Sequence, residues 1–342
     1  MVMKYNGKYS IMDVENIKTY SIFNRPSEVS IRNLVDTVKI LKMNVYHEEN
    51  QQSKNIEYIA KKIVKARKEK KPVVIFSGAH MIKNGLGPIY IDLIKRGYLS
   101  ALGTNGAFTI HDFELAFAGK TSENIPNALS QGLFGFSEET NKLMNLALRW
   151  GNKNKLGYGE SMGKLISGEI PNMNYDFPYK DYSVIYNAFI HNIPLCVHCG
   201  IGNDIIHMTG YFDGENLGGC SGRDFLIYAN EISKLNNGGV CLLIGSSVIG
   251  VEVILKAFSM SSNLGKTPDN ITTASFDIRE ANIDDAIKND KAKSSYYFRD
   301  IKSMVVRIPR AFNGKGFYIK GNHKETVVEL YRKIIDYGEK NE

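Results

Sequence analysis

From Lys54 onward the chain alternates between short apolar runs and helical stretches, and this alternation restricts its possible folds severely. The runs are PVVIFSG, YLSALGTNG, IPLCVHCG, GGVCLLIGSS, ITTASFDI and SMVVRIP, each flanked by Gly, Pro or Asn. Between them lie stretches with helical patterning, among them LGPIYIDLIKRG, DYSVIYNAFIHN, GRDFLIYANEISKLN and IGVEVILKAFSMSS. Runs that are apolar at consecutive positions suit strands covered on both faces, as in parallel sheets. Their alternation with helices predicts an α/β fold: a doubly wound, mostly parallel sheet of about six strands with helices on both faces.

A length of 342 residues with 43% hydrophobic content is enough to bury such a core. Residues 1–50 are polar with scattered apolar positions, and NRPSEVSIRNLVDTVKILKM offers a turn followed by an amphipathic helix. We read them as an N-terminal arm or cap. Residues 51–342 read as a single α/β domain, with a helical insertion at about 120–185 that is rich in Asn, Gly and Lys. The formal net charge of +7 comes from dispersed lysines. The densest run, KKIVKARKEKK, fits a solvated helix face better than a nucleic-acid surface, which would interleave aromatics. No stretch approaches the roughly eighteen continuous apolar residues of a membrane span, and MVMKYNGKYS has no signal-type apolar core. Four cysteines in a chain of this length are not a disulfide framework. The expectation is a cytoplasmic protein with no membrane or nucleic-acid partner.

In a doubly wound sheet, ligands sit outside the carboxyl ends of the strands. The residues following these runs are small and polar: Ser77-Gly78-Ala79-His80, Gly103-Thr104-Asn105-Gly106, Gly200-Ile201-Gly202-Asn203-Asp204 and Gly245-Ser246-Ser247. Glycine lets a ligand approach the backbone, and the next helix N-terminus favours an anion such as a pyrophosphate. Tight βα turns account for any one of these segments alone; a shared anionic ligand accounts for several on one edge. No G-x-G-x-x-G follows a strand, and the segment after Gly245 lacks the Lys-Ser/Thr of a phosphate loop. Asp277, closing ITTASFDI, could receive the hydroxyls of a ribose or cap a helix. In FTIHDFELAF, His111 can move protons near neutral pH with Asp112 or Glu114 tuning it; capping by Asp112 is the alternative. Asp204, in its glycine-rich turn, could hold an ammonium group.

The stretch CVHCGIGNDIIH also contains Cys196-x-x-Cys199 and two histidines. The strand pattern puts Cys196 and His198 on one face and Cys199 on the other, whereas zinc pairs need a turn between the cysteines. A redox pair would stand at a helix N-terminus. Packing within a strand is the simpler reading, and no metal is expected.

Several segments together resemble the deoxyhypusine synthases. SVIYNAFIHNIPLCVHCGIGNDIIH is similar to that family's helix and Ile-Pro strand leading to a Gly-x-Gly-Asp-type turn and a closing His. SGAHMIKNGLGPIYIDLIKRGYLSALGTNGAFTIHDFELAF resembles its first two strand–turn units, GGVCLLIGSSVIG its glycine-rich strand end, and TTASFDI the strand after it. The likeness covers roughly residues 70–118 and 182–320. The second unit also resembles the archaeal ornithine cyclodeaminase domain found in arginine dihydrolases, through Asn105-Gly106 and His111-Asp112-Phe113-Glu114.

The resemblance implies an NAD-binding fold and a homotetramer built as a dimer of dimers. It implies that Ser77, Gly78, His80, Thr104, Asn105, Gly106, Gly245, Ser246, Ser247 and Asp277 face NAD, with Asp204 facing an amine. Where the synthases carry a Trp-Gly-Lys motif, this chain reads SSYYFRDIKS, with Lys293 and Lys302 nearby, and Val251-Glu252 stands where they have a histidine pair. The implied activity is transient oxidation of a small amine or amino acid to an imine, with Asp204, His111, Asp112 and Glu114 as the catalytic set. A deoxyhypusine or homospermidine synthase with a displaced lysine, and a non-catalytic NAD- or nucleotide-binding module, are the alternatives.

Overall fold

The computed structural model describes residues 5–43, 50–288 and 297–340. Six parallel strands form the central sheet: β1 (Val73–Ser77), β2 (Ala101–Asn105), β3 (Leu195–His198), β4 (Val240–Ile244), β5 (Thr272–Asp277) and β6 (Lys315–Lys320). Their spatial order is β3-β2-β1-β4-β5-β6, with Val74 opposite Ala101 on one side of β1 and Val73 opposite Val240 on the other. The order reverses direction between β1 and β4, which is the switch point of a doubly wound sheet. The fold class expected from the alternating pattern is the one observed.

Alternate residues of each strand feed opposite halves of the core. Val73, Ile75, Leu102, Val197 and Leu242 pack with helices α1 (Gln51–Lys68), α2 (Gly87–Lys95) and the C-terminal helix α9 (His323–Glu339). Val74, Phe76, Ala101, Cys196 and Leu243 pack on the other face with α7 (Gly214–Ile232) and α8 (Ile249–Asn263). The strands read as unbroken apolar runs because both of their faces are covered. On α1, Lys61 pairs with Glu57 of the same helix and Lys65 with Glu69, the residue that ends it.

Five of the six expected strands lie where the apolar runs place them. The sixth does not. SMVVRIP is helical: Ile301–Arg307 form a wide π-type turn running into Ile308–Ala311. Residues 301–304 and 308–309 are buried while Arg307 is exposed, a helical spacing that so short a β-branched run cannot reveal. The actual sixth strand, β6, lies at the sheet edge. Its lysine ends, Lys315 and Lys320, are exposed and disguise it as a loop.

The connection from β2 to β3 runs through α3 (Gly106–Ala118), α4 (Glu138–Lys153), α5 (Tyr158–Ile166) and α6 (Val184–Ile190). A two-residue antiparallel ladder joins Val29–Ser30 to Lys120–Thr121, so the N-terminal segment docks on this connection. At the other sheet edge, side chains of α7 occupy the backbone of β3. Asp224 accepts the Val197 N–H at 2.7 Å, and Ser221 donates to the Val197 carbonyl at 2.7 Å. Those bonds hold the strand from which the Gly200–Asp204 turn departs.

Candidate active site at the carboxyl edge of the sheet

A cavity of about 180 Å³ opens beside the carboxyl ends of β2 and β3, lined among others by Arg25, Lys83, His111, Glu114, Glu123 and Asp204. That is room for one small molecule. Three of the four residues expected to be catalytic, His111, Glu114 and Asp204, share its wall.

Asp204 leaves the β3 turn and lies over the first residue of α3. A Cβ at Gly106 would sit 2.0 Å from Asp204 Oδ2, so only glycine admits the carboxylate there. His207 shapes the turn: its Nδ1 accepts the N–H groups of Gly202 and Asp204 at 3.1 and 3.3 Å. The His207 proton is therefore on Nε2. Asp204 is 7% exposed, and burial alone pushes its pKa up to about 6.

Glu114 has a different role from the one expected. Its carboxylate is gripped by Arg25 through bonds of 2.8 and 2.7 Å, and receives the hydroxyls of Thr121 at 2.6 Å and Thr140 at 2.9 Å. Burial would raise its pKa, but Arg25 and Thr121 outweigh burial and lower it. An anion held by four donors is an anchor, not a proton acceptor. Arg25 also meets Glu123 at 3.2 Å, leaving its Nε without an acceptor.

The same network sets the His111 tautomer. Thr121 gives its only proton to Glu114, so the 2.7 Å contact between Thr121 Oγ1 and His111 Nδ1 needs the proton on Nδ1. Nε2 then carries the lone pair. Burial lowers the His111 pKa to about 4, with the Glu114 charge opposing it. His111 is thus a neutral ring with one basic nitrogen on a cavity wall.

Asp112 is not part of the cavity. Its fully buried carboxylate accepts the Ser183 hydroxyl and the N–H groups of Val184 at 2.7 Å and Ile185 at 3.1 Å. It caps α6, a helix far along the chain, where capping of its own helix had been the alternative. Adjacent positions on a helix point about 100° apart, so His111 and Asp112 cannot both face one pocket.

The residues expected to face NAD divide into two groups. Ser77 and Thr104 are fully buried and turned inward: Ser77 Oγ receives Tyr90 Oη at 2.9 Å, and Thr104 Oγ1 donates to the Ser77 carbonyl at 2.7 Å. Asn105 caps α3 through the Phe108 N–H, and Gly106 lies under Asp204. The Asp277 carboxylate is held by Arg279 at 2.9 and 3.1 Å. Ser77 and Thr104 are thus turned into the fold, whereas Asp277 lies near His323, the ring that packs against Gly245.

Gly78, His80, Gly245, Ser246 and Ser247 do gather where β1 and β4 end. The two turns touch so closely that a Cβ at Gly78 would lie 2.0 Å from the Gly245 carbonyl oxygen. Gly245 has a φ of +60°, a backbone conformation that favours glycine. Ser246 Oγ accepts the Gly250 N–H at the start of α8. His80 is exposed on the first turn after β1. The Gly78 and Gly245 N–H groups are bonded to the Ile244 and Phe276 carbonyls, while Ser246 and Ser247 lead into the N-terminus of α8, which suits a pyrophosphate.

The chain shares its fold with AgrE. The ternary complex of AgrE with ornithine and NAD+ matches with a TM-score of 0.50 at 17% identity, covering 87% of this chain and 35% of that one. ArgZ, an arginine dihydrolase from the ornithine-ammonia cycle in cyanobacteria, matches at 0.46 and 17% identity, over 83% of this chain and 33% of that one. A putative deoxyhypusine synthase from Entamoeba histolytica matches at 0.47 and 11% identity, over 88% and 94%. The chain spans about a third of the length of the AgrE and ArgZ structures. No family model and no curated protein matches the sequence.

Among the described residues, no group of three or more His, Cys, Asp or Glu side chains is placed to hold a metal. Cys196 and Cys199 are free, and burial raises both thiols well above their ordinary range. No helix among the described residues is long and apolar enough to cross a membrane. Lys293 lies outside the described residues; Lys302 is buried in the π-type turn.

Three charged cavity residues, Arg25, Lys83 and Glu123, escaped the sequence reading. Arg25 belongs to a polar segment 89 residues before Glu114, and no local pattern announces that contact. Lys83 stands three positions after His80 on the turn following β1, just beyond the Ser77, Gly78 and His80 that the sequence singled out.

Proposed function

We propose that the chain binds NAD in the crevice between β1 and β4 and oxidises a small amine or amino acid transiently to an imine, which is then hydrolysed, cyclised or trapped. The observation that carries this reading is the placement of Asp204 and the basic nitrogen of His111 on one small cavity beside that crevice. When bound, NAD would supply the hydride acceptor. The backbone of Ser246 and Ser247, with the N-terminus of α8, would hold its pyrophosphate, and Gly78 and Gly245 would let it approach the turns.

The chain's own groups would do the rest. Asp204, ionised above about pH 6, pairs with the substrate ammonium and fixes the C–N bond in the cavity. His111 Nε2, the ring nitrogen with the free lone pair, takes the proton released as the nitrogen becomes an imine and, kept a weak base by burial, passes it on to solvent. Glu114 and Arg25 keep Thr121 and His111 oriented. Glu114 is withdrawn from the proton-transferring set and Asp112 becomes a structural cap.

Calorimetric titration with NAD, followed by absorbance of reduced nicotinamide after adding ornithine, putrescine or spermidine, tests the reading. NAD binding and amine-dependent reduction are expected. Failure to bind NAD would overturn it, and binding without reduction by any amine would leave a non-catalytic NAD module.

A further inference from the structure

We propose that Lys83 is a carboxylate anchor, so that the cavity selects a zwitterionic amino acid over a di- or polyamine. The inference rests on reading the cavity as an amine site and narrows its substrate class. Of the charged groups on the wall, Arg25 is consumed by Glu114 and Glu123. Glu114 is saturated by four donors, and Glu123 receives Arg25, the Gly135 N–H and the Tyr20 hydroxyl. His111 is held as a neutral ring by Thr121.

One cation and one acid are left over. Lys83 makes no hydrogen bond or ion pair among the described residues, and its charge reaches His111. Asp204 stands without a cation beside it. The cavity is therefore dipolar. A diamine brings no carboxylate, so Lys83 would stay unpaired beside like charge in a partly desolvated site. An amino acid instead places its ammonium on Asp204 and its carboxylate on Lys83, so that both leftover charges are met. A lysine suits this task as a mobile point charge on a flexible stem.

The test compares ornithine with putrescine, which lacks only the carboxylate, by calorimetry on the full chain with and without NAD. Wild type is expected to bind ornithine roughly 10–100-fold more tightly, the range of one hydrogen bond to a charged group. Lys83→Gln should remove that preference while leaving putrescine binding intact, and Lys83→Arg should restore most of it. Equal affinities in wild type, a preference that survives Lys83→Gln, or no binding of either ligand would overturn the anchor. Ornithine binding without any NAD binding would support the anchor and overturn the proposed redox function instead.

Discussion

At Asp204, burial opposes ionisation and no neighbouring cation offsets it. The folded pKa of about 6 lies above the ordinary value of 3.8, so the favourable contribution of this group is complete below pH 3.8 and is lost as pH rises through about 6. Near neutral pH the ionised carboxylate is therefore a net cost to the fold. Asp204→Asn, which keeps the shape without the charge, is expected to be more stable than wild type at neutral pH by on the order of 2 kcal/mol. The gain should vanish near pH 4, and denaturant unfolding at the two pH values measures it. Equal stability at both would mean that the carboxylate has a cationic partner after all. Retention of so costly an acid is what a binding site requires. The residue was legible in the sequence because a glycine-rich turn at a strand end has few other reasons to contain one. The opposite duties of Asp112 and Glu114 were not legible, since their partners Ser183 and Arg25 lie 71 and 89 residues away.

Among the elements, the α6 cap and the β1–β4 contact make separable predictions. Asp112→Ala removes three hydrogen bonds from the start of α6. It should cost roughly 2 kcal/mol or more of stability, since buried donors are left unmet, while NAD affinity stays unchanged. An Asp112→Ala protein of full stability that failed only in turnover would return this residue to the catalytic set. Gly78→Ala should do the reverse of the cap mutation. Its methyl would meet the Gly245 carbonyl, forcing the two turns apart. Calorimetry should show at least a tenfold loss of NAD affinity, on the order of 1.4 kcal/mol. Strand positions were readable where both faces are covered, because such runs have no polar interruption. The edge strand β6 and the helical SMVVRIP were misread for complementary reasons: one is too polar to look buried, the other too β-branched to look helical.

Across the whole molecule, the N-terminal segment is bound to the cavity by a buried ion pair. Arg25 and Glu114 side chains are 2% and 1% exposed. Replacing Arg25 by Met would leave Glu114 buried and unpaired, which typically costs about 3–5 kcal/mol. Thermal unfolding should fall accordingly, and proteolysis should begin in residues 5–43. A pair of substitutions, Arg25→Met with Glu114→Gln, should recover much of the loss. If the single variant were as stable as wild type, the segment would be an appendage rather than part of the cavity wall. The β3-β2-β1-β4-β5-β6 order places the ends of β1 and β4 and the Asp204 cavity on the same, carboxyl edge of the sheet. The chemistry proposed here follows from that proximity. It is examined most sharply by rapid mixing of NAD-loaded protein with ornithine while reduced nicotinamide absorbance is followed, in wild type and in Asp204→Asn. Absorbance should rise in wild type and stay flat in Asp204→Asn although that variant still binds NAD; an equal rise in both would contradict the assignment of Asp204 as the group that holds the amine.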